Sequence, residues 1–169
     1  MVFGGSYGIG GDIAELARAY GADVKTFSRS TTGTYVEKRA DVAKVAQQVL
    51  DETGRIDFVV NTAGVLVRGE LAETSEETIY SSTDINYLAP IFVAQEFFRI
   101  SRTSGGSLLL FTSSSYTRGR SGYSLYSSAK AAIVNLDAGA RRRMGLLGRT
   151  GELCQSGAHG HADAHQGLR

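Results

Sequence analysis

The chain has 169 residues, 42% of them hydrophobic, and a formal net charge of +1. That composition supports a folded core, while the near balance of charge leaves no nucleic-acid footprint, and no apolar run reaches the about 18 residues of a membrane span or forms a secretory leader. The single cysteine, Cys154, excludes an internal disulfide and any C-x-x-C metal pattern.

In chain order, the apolar pair Val2-Phe3 reads as a short strand and the spacing of Ile13, Leu16, Ala17 and Tyr20 as a helix from Asp12 to Tyr20. Between them lies Gly4-Gly5-Ser6-Tyr7-Gly8-Ile9-Gly10. Strand, glycine turn and helix are the order in which a dinucleotide is held. Glycines let the backbone approach a pyrophosphate, and the following helix presents free N–H groups and its positive dipole end. The residues nominated for that role are Gly4, Ser6, Tyr7, Gly8, Ile9 and Gly10, with the spacing G-x-x-x-G-x-G.

A second strand, Val24 to Phe27, ends in Ser28-Arg29. An acid there would accept from a ribose 2′-hydroxyl, whereas an arginine meets a 2′-phosphate. The absence of an acid together with Arg29 favours NADP(H), with NAD(H) as the alternative, and a solvated loop charge is the competing reading of Arg29. Helices are expected over Val42 to Thr53, Ile79 to Ile100 and Tyr123 to Leu136, with strands at Phe58 to Asn61 and Ser107 to Thr112; Pro90 is expected to kink the second of these helices. Strands alternating with helices predict one α/β domain over residues 1–136, a doubly wound parallel sheet.

Tyr126-Ser127-Ser128-Ala129-Lys130 places a phenol and an ammonium one helical turn apart. A phenol exchanging its proton near pH 7 needs a shift of about 3 units from its ordinary value near 10, and a neighbouring cation supplies part of it. Alone, the pair also fits a surface helix.

Together these motifs resemble the classical short-chain dehydrogenase/reductase family, over about residues 2 to 136. The resemblance implies a Rossmann-type sheet and further roles. Asp41-Val42 would be the acidic contact to adenine, and Asn61-Thr62-Ala63-Gly64 the turn after the family's fourth strand, with Asn61, Ala63 and Gly64 at the cofactor. Asn86 would position a water, Ser113, thirteen residues before Tyr126, would hold the carbonyl oxygen, Tyr126 would exchange the proton, and Lys130 would contact the ribose and favour the phenolate. Ser114 and Ser115 flank Ser113, so spacing alone selects the serine only to within one residue. The strings at residues 2–10, 27–30 and 116–120 are similar to the reductase half of bifunctional enzymes of CDP-ribitol synthesis. That likeness implies reduction of ribulose 5-phosphate to ribitol 5-phosphate and a fused cytidylyltransferase domain; a homo-oligomer is expected, and the cytoplasm is the default that the composition leaves. Arg118 and Arg120 are then either partners of the substrate phosphate or solvated charges. A sugar-nucleotide epimerase shares Tyr-x-x-x-Lys but not the glycine spacing or Asn61-Thr62-Ala63-Gly64.

The resemblance stops after Leu136. Residues 137–169 hold all three histidines, His159, His161 and His165, and are not read as a metal site. Back-translated and read one nucleotide later, this segment is compatible with T-Q-A-L-A-D-E-W-A and a downstream V-N-P strand. The expectation is therefore a frameshifted, poorly ordered tail, a sheet truncated at both ends with its C-terminal strands missing, low stability and lost turnover. Two functions follow: an NADPH-dependent carbonyl reductase, or a catalytically silent fragment binding nucleotide weakly.

Overall fold

The computed structural model describes residues 1–144 and 150–156, with the side chains of residues 1–102 and 105–136. Strand β1, Val2–Phe3, leads through the glycine turn into α1, Gly8–Ala19; β2, Thr26–Phe27, is followed by the single turn α2, Arg29–Thr32, and by α3, Arg39–Thr53. Strand β3, Phe58–Asn61, precedes α4, Glu76–Thr83, a π turn at Asp84–Leu88 and α5, Ala89–Ser104; then come β4, Ser107–Ser113, α6, Ser124–Met144, and β5, Thr150–Ser156.

All strands are parallel, in the order β2-β1-β3-β4-β5. The chain moves outward from β1 to β2 and then returns past β1 to β3. Because parallel crossovers are right-handed, that reversal sets α1 on the face opposite the later helices. The architecture is the doubly wound α/β sheet expected. The reversal between β1 and β3 also opens a crevice beyond the carboxyl ends of those strands, the place where such sheets bind ligands.

Strand β4 shows why the sheet is buried: Leu108, Leu110 and Thr112 are buried on alternate positions, and Phe3, Val93, Phe97 and Ile133 close the same core. Each large apolar side chain so enclosed contributes about 1.5–3 kcal/mol. Helix starts follow capping chemistry. Ser75 Oγ accepts from Thr78 N at 3.2 Å above Glu76 and Glu77, which favour the positive end of α4. Glu96 on α5 is 5% exposed, paired with Arg99 at 2.7 Å and with Arg39 of α3 at 3.6 Å, and so ties the two helices.

Three expectations are corrected. Pro90 does not break its helix: it lies in the first turn of α5, directly after the π turn Asp84–Leu88, and the irregularity expected at the proline takes the form of that π turn. Helix α6 continues beyond Leu136 to Met144. A strand also follows it: β5 pairs in parallel with the whole of β4, from Ser107 with Thr150 to Ser113 with Ser156, and covers the edge expected to be open. The histidines lie outside the described residues. Among the described residues no helix is long and apolar enough to cross a membrane.

Candidate functional site

The crevice between β1 and β3 has a volume of about 340 Å³ and is lined by Gly4, Ser6, Tyr7, Gly8, Ile9 and Gly10, by Ser28 and Arg29 after β2, and by Ala63 and Gly64 after β3. The glycines are dictated by contact. Gly4 has φ +77°, and a Cβ there would stand 2.7 Å from Thr62 Oγ1 and 2.8 Å from Ala63 N; a Cβ on Gly10 would collide with Thr62 Oγ1 and the Gly4 carbonyl. Thr62 locks the turn by donating its hydroxyl to Phe3 O at 2.9 Å. Helix α1 begins without a capping side chain or an acid in its first turn, so its first N–H groups remain available to an anion at the crevice. A dinucleotide pyrophosphate fits this cradle.

Asp41 and Val42 are not among the residues that line the crevice. Helix α3 starts at Arg39, which puts both in its first turn: Asp41 Oδ2 accepts from Tyr35 N at 3.0 Å, and Val42 is buried in the core. Thr34, Val36 and Glu37 line the crevice instead, and with Ser30, Thr62, Val65 and Ile85 they are the lining residues the sequence reading did not nominate. Thr62 stood inside the motif quoted; the path of the 33–38 loop left no periodic signal. Asn61 is also buried rather than lining, its Oδ1 accepting from Ala63 N at 3.2 Å and so shaping the turn from beneath. The Ser28 hydroxyl is engaged as the cap of α2.

At the inner end of the crevice, a Cβ on Gly64 would stand 3.2 Å from Asn86 Oδ1 and 3.7 Å from Lys130 Nζ. The glycine thus admits two further nominated residues. Asn86 sits in the π turn with 0% exposure, donating from Nδ2 to Val65 O at 2.8 Å and to Ser82 Oγ at 3.2 Å, and accepting from Val65 N at 3.1 Å. Both of its N–H donors are engaged, so a water held here would have to donate to Oδ1 or use the backbone; the side chain also fixes the loop that carries Val65.

Helix α6 presents Tyr126 and Lys130 on one face. Tyr126 is hydrogen-bonded to Ser113, at the end of β4, and Ser113 Oγ accepts from Ser115 Oγ at 3.1 Å and from Ser115 N at 3.3 Å. Ser113 is thus the serine that meets the phenol, with Ser115 behind it. Lys130 is 5% exposed; its Nζ donates to Phe111 O at 3.0 Å and lies 5.5 Å from the centre of the Tyr126 ring. Burial lowers the Lys130 ammonium from 10.5 to about 8. Burial also pushes the Tyr126 phenol up, against the opposing pull of the Ser113 hydrogen bond. The expected lowering of the phenol is therefore not met in the protein alone: desolvation outweighs the Ser113 hydrogen bond, and Tyr126 is held protonated, the form required of a proton donor.

Arg118 and Arg120 lie in the exposed turn between β4 and α6, outside the glycine crevice, and no described carboxylate pairs with either. That turn is tied to the loop after β3 by Gly69 N donating to Gly122 O at 3.0 Å.

Residues 31–146 match the family model for short chain dehydrogenases. The chain is 42% identical over 136 residues, 80% of its length, to the bifunctional ribulose 5-phosphate reductase/CDP-ribitol pyrophosphorylase of Haemophilus influenzae. It is 29% identical over 150 residues to the 3-oxoacyl-[acyl-carrier-protein] reductase of Homo sapiens, covering 79% of this chain. The chain spans 28% and 63% of the lengths of those two relatives. A solved short-chain dehydrogenase from Streptomyces avermitilis superposes with a TM-score of 0.87 at 27% identity, over 93% of this chain and 65% of the other.

Proposed function

Since the chain belongs to the short chain dehydrogenase family of oxidoreductases, we propose that it is an NADPH-dependent carbonyl reductase that converts ribulose 5-phosphate to ribitol 5-phosphate. The observation that carries the reductase reading is the meeting of Ser113, Tyr126 and Lys130 at the inner end of a glycine-walled crevice. The substrate reading is supported by the 42% identity to the Haemophilus influenzae relative. By the same likeness, a cytidylyltransferase partner domain forms part of the proposal, and a homo-oligomer and a cytoplasmic location are proposed with it.

The turn from Gly4 to Gly10 and the start of α1 would hold the pyrophosphate, Arg29 the 2′-phosphate, and Thr34 and Val36 the adenine side. When bound, the reduced nicotinamide supplies hydride to the carbonyl carbon. Tyr126 gives its phenolic proton to the carbonyl oxygen, which becomes the alcohol, and in the reverse direction the phenolate takes that proton back. Ser113 Oγ accepts from Ser115, which keeps its own O–H as a donor; it meets the phenol in the protein alone and would turn to the carbonyl oxygen of a bound substrate to fix its position. Lys130, charged below about pH 8, stabilises the phenolate as it forms. Asn86 acts on geometry, holding the Val65 loop against the crevice.

The reading is tested by incubating the chain with NADPH and ribulose 5-phosphate and following both nucleotide oxidation and ribitol 5-phosphate. Stoichiometric conversion is expected. Failure to bind NADPH, or binding without product, would leave the silent-fragment reading in its place.

A further inference from the structure

Arg68 stands outside every role assigned above, yet its position is built. Its loop is anchored at both ends: Val65 exchanges two hydrogen bonds with Asn86, and Gly69 N donates to Gly122 O at 3.0 Å. Between these anchors the Arg68 guanidinium carbon lies 5.3 Å from the centre of the Tyr123 ring. A planar guanidinium over an aromatic face keeps its N–H fork available to an anion. No described carboxylate pairs with it, whereas Arg39, Arg55 and Arg99 all have carboxylate partners.

Tyr123 directly precedes α6, and its carbonyl accepts from Ser127 N at 2.8 Å, which makes it part of the first turn. Tyr123, Tyr126 and Lys130 therefore follow one another along one helical face. Tyr123 and Tyr126 are about one turn apart, a rise of about 5 Å, so the cation stands over the ring that neighbours the phenol on α6. A cation beside the neighbouring residue of the phenol suits a substrate whose phosphate ester is joined to its ketone by a short carbon chain, as in a 2-ketose 5-phosphate. Arg118 and Arg120 lie in the turn just before Tyr123, without described carboxylate partners, and add positive charge on the same side.

We propose that Arg68, stacked on Tyr123 and braced by the Val65 and Gly69 anchors, binds the substrate phosphate and sets the preference for a phosphorylated over an unphosphorylated ketose. This rests on the reductase reading above. Arg118 and Arg120 supply a supporting field, and Arg68 the directed contact.

The test compares kcat/KM for ribulose 5-phosphate and ribulose in the wild type, Arg68→Ala, Arg68→Lys and Tyr123→Leu, with thermal melts to verify folding. Titration with ribitol 5-phosphate and with ribitol in the presence of NADP gives a readout independent of turnover. Arg68→Ala should reduce the phosphate preference about 10- to 100-fold, the loss expected for a charge-assisted contact. Arg68→Lys should keep part of it, and Tyr123→Leu should lie between Lys and the wild type. An unchanged preference in a folded Arg68→Ala, with the wild type still favouring the phosphorylated sugar, would overturn the assignment and leave the reductase reading standing. A wild type that binds and reduces the two sugars equally would remove the Arg68 assignment and the phosphorylated substrate while leaving carbonyl reduction standing, and one that binds and reduces neither would remove both readings.

Discussion

Asn86 pairs with the backbone of Val65 as a neighbouring strand would: its Nδ2 donates to the Val65 carbonyl at 2.8 Å and its Oδ1 accepts from the Val65 N–H at 3.1 Å. One fully buried amide thus satisfies both polar groups of a loop residue beside the crevice. Asn86→Asp keeps the shape but replaces the donor by a carboxylate facing the Val65 and Ser82 oxygens. A buried polar group left unpaired costs about 1–3 kcal/mol, and a charged one more. Thermal melts should show a loss of about 5–10 °C at neutral pH, reduced in acid as the new carboxyl takes a proton and can donate again.

The glycine cradle separates contact from strain. Gly10→Ala drives a Cβ against Thr62 Oγ1 and the Gly4 carbonyl, neither of which is the end of a flexible side chain, so the turn must open. Overpacking of this kind costs about 1–3 kcal/mol, and NADPH affinity is expected to fall at least about tenfold. Gly54→Ala, at φ +73° with nothing within 4 Å, carries backbone strain of about 1–2 kcal/mol far from the crevice. It should lower the melting temperature while leaving the NADPH dissociation constant, read by fluorescence, where it was.

Lys130 sets a pH dependence with a definite sign. Its ammonium is lowered to about 8 in the fold, against 10.5 in the open chain. Below pH 8 the fold carries a buried charge, at a cost of about 3 kcal/mol. As pH rises from about 8 to 10.5, the folded lysine has lost its proton while the unfolded one retains it, so this contribution makes the fold more stable. Tyr126, pushed up, acts oppositely, and only above pH 10. Lys130→Met should therefore melt higher than the wild type at pH 7, with the difference fading above pH 10, and should reduce carbonyls far more slowly. In the wild type, kcat/KM for reduction should fall as pH rises through about 8.

Two charges at the crevice oppose one another in cofactor choice. Both Arg29 and Glu37 line the crevice, and Arg29 would attract a 2′-phosphate where Glu37 would repel it. Arg29→Asp should weaken NADPH far more than NADH, and Glu37→Gln should move the ratio of kcat/KM values the other way. An unchanged ratio in both variants would place selection elsewhere.

The parts legible in the sequence were those fixed by local pattern. Phe58 to Asn61 was read residue for residue because an apolar run is bounded by Ile56-Asp57 and by the turn at Thr62. The Tyr126 and Lys130 pair needed only helical spacing. Elsewhere tertiary contacts decided. Helix α1 begins at Gly8, four residues before the expected start, because close packing on Thr62 overrides glycine's poor helix propensity. Asp41-Val42 matched a motif, yet α3 starts early enough to turn Val42 into the core and Asp41 onto Tyr35 N. The π turn around Asn86 had no sequence signal beyond Pro90 nearby, and Glu37 reached the crevice through a loop that no periodicity describes. The phenol's upward shift has no sequence signal, because spacing reports a neighbouring charge but not the burial that raises the phenol.

The central claim is that Tyr126 protonates the carbonyl oxygen during NADPH-linked reduction. Single-turnover oxidation of NADPH with ribulose 5-phosphate, in the wild type and in Tyr126→Phe, tests it most directly, alongside the NADPH dissociation constant of each. Removing only the hydroxyl should slow the chemical step about 10²- to 10⁴-fold while the dissociation constant stays within about twofold. Comparable rates in the two proteins would contradict the claim.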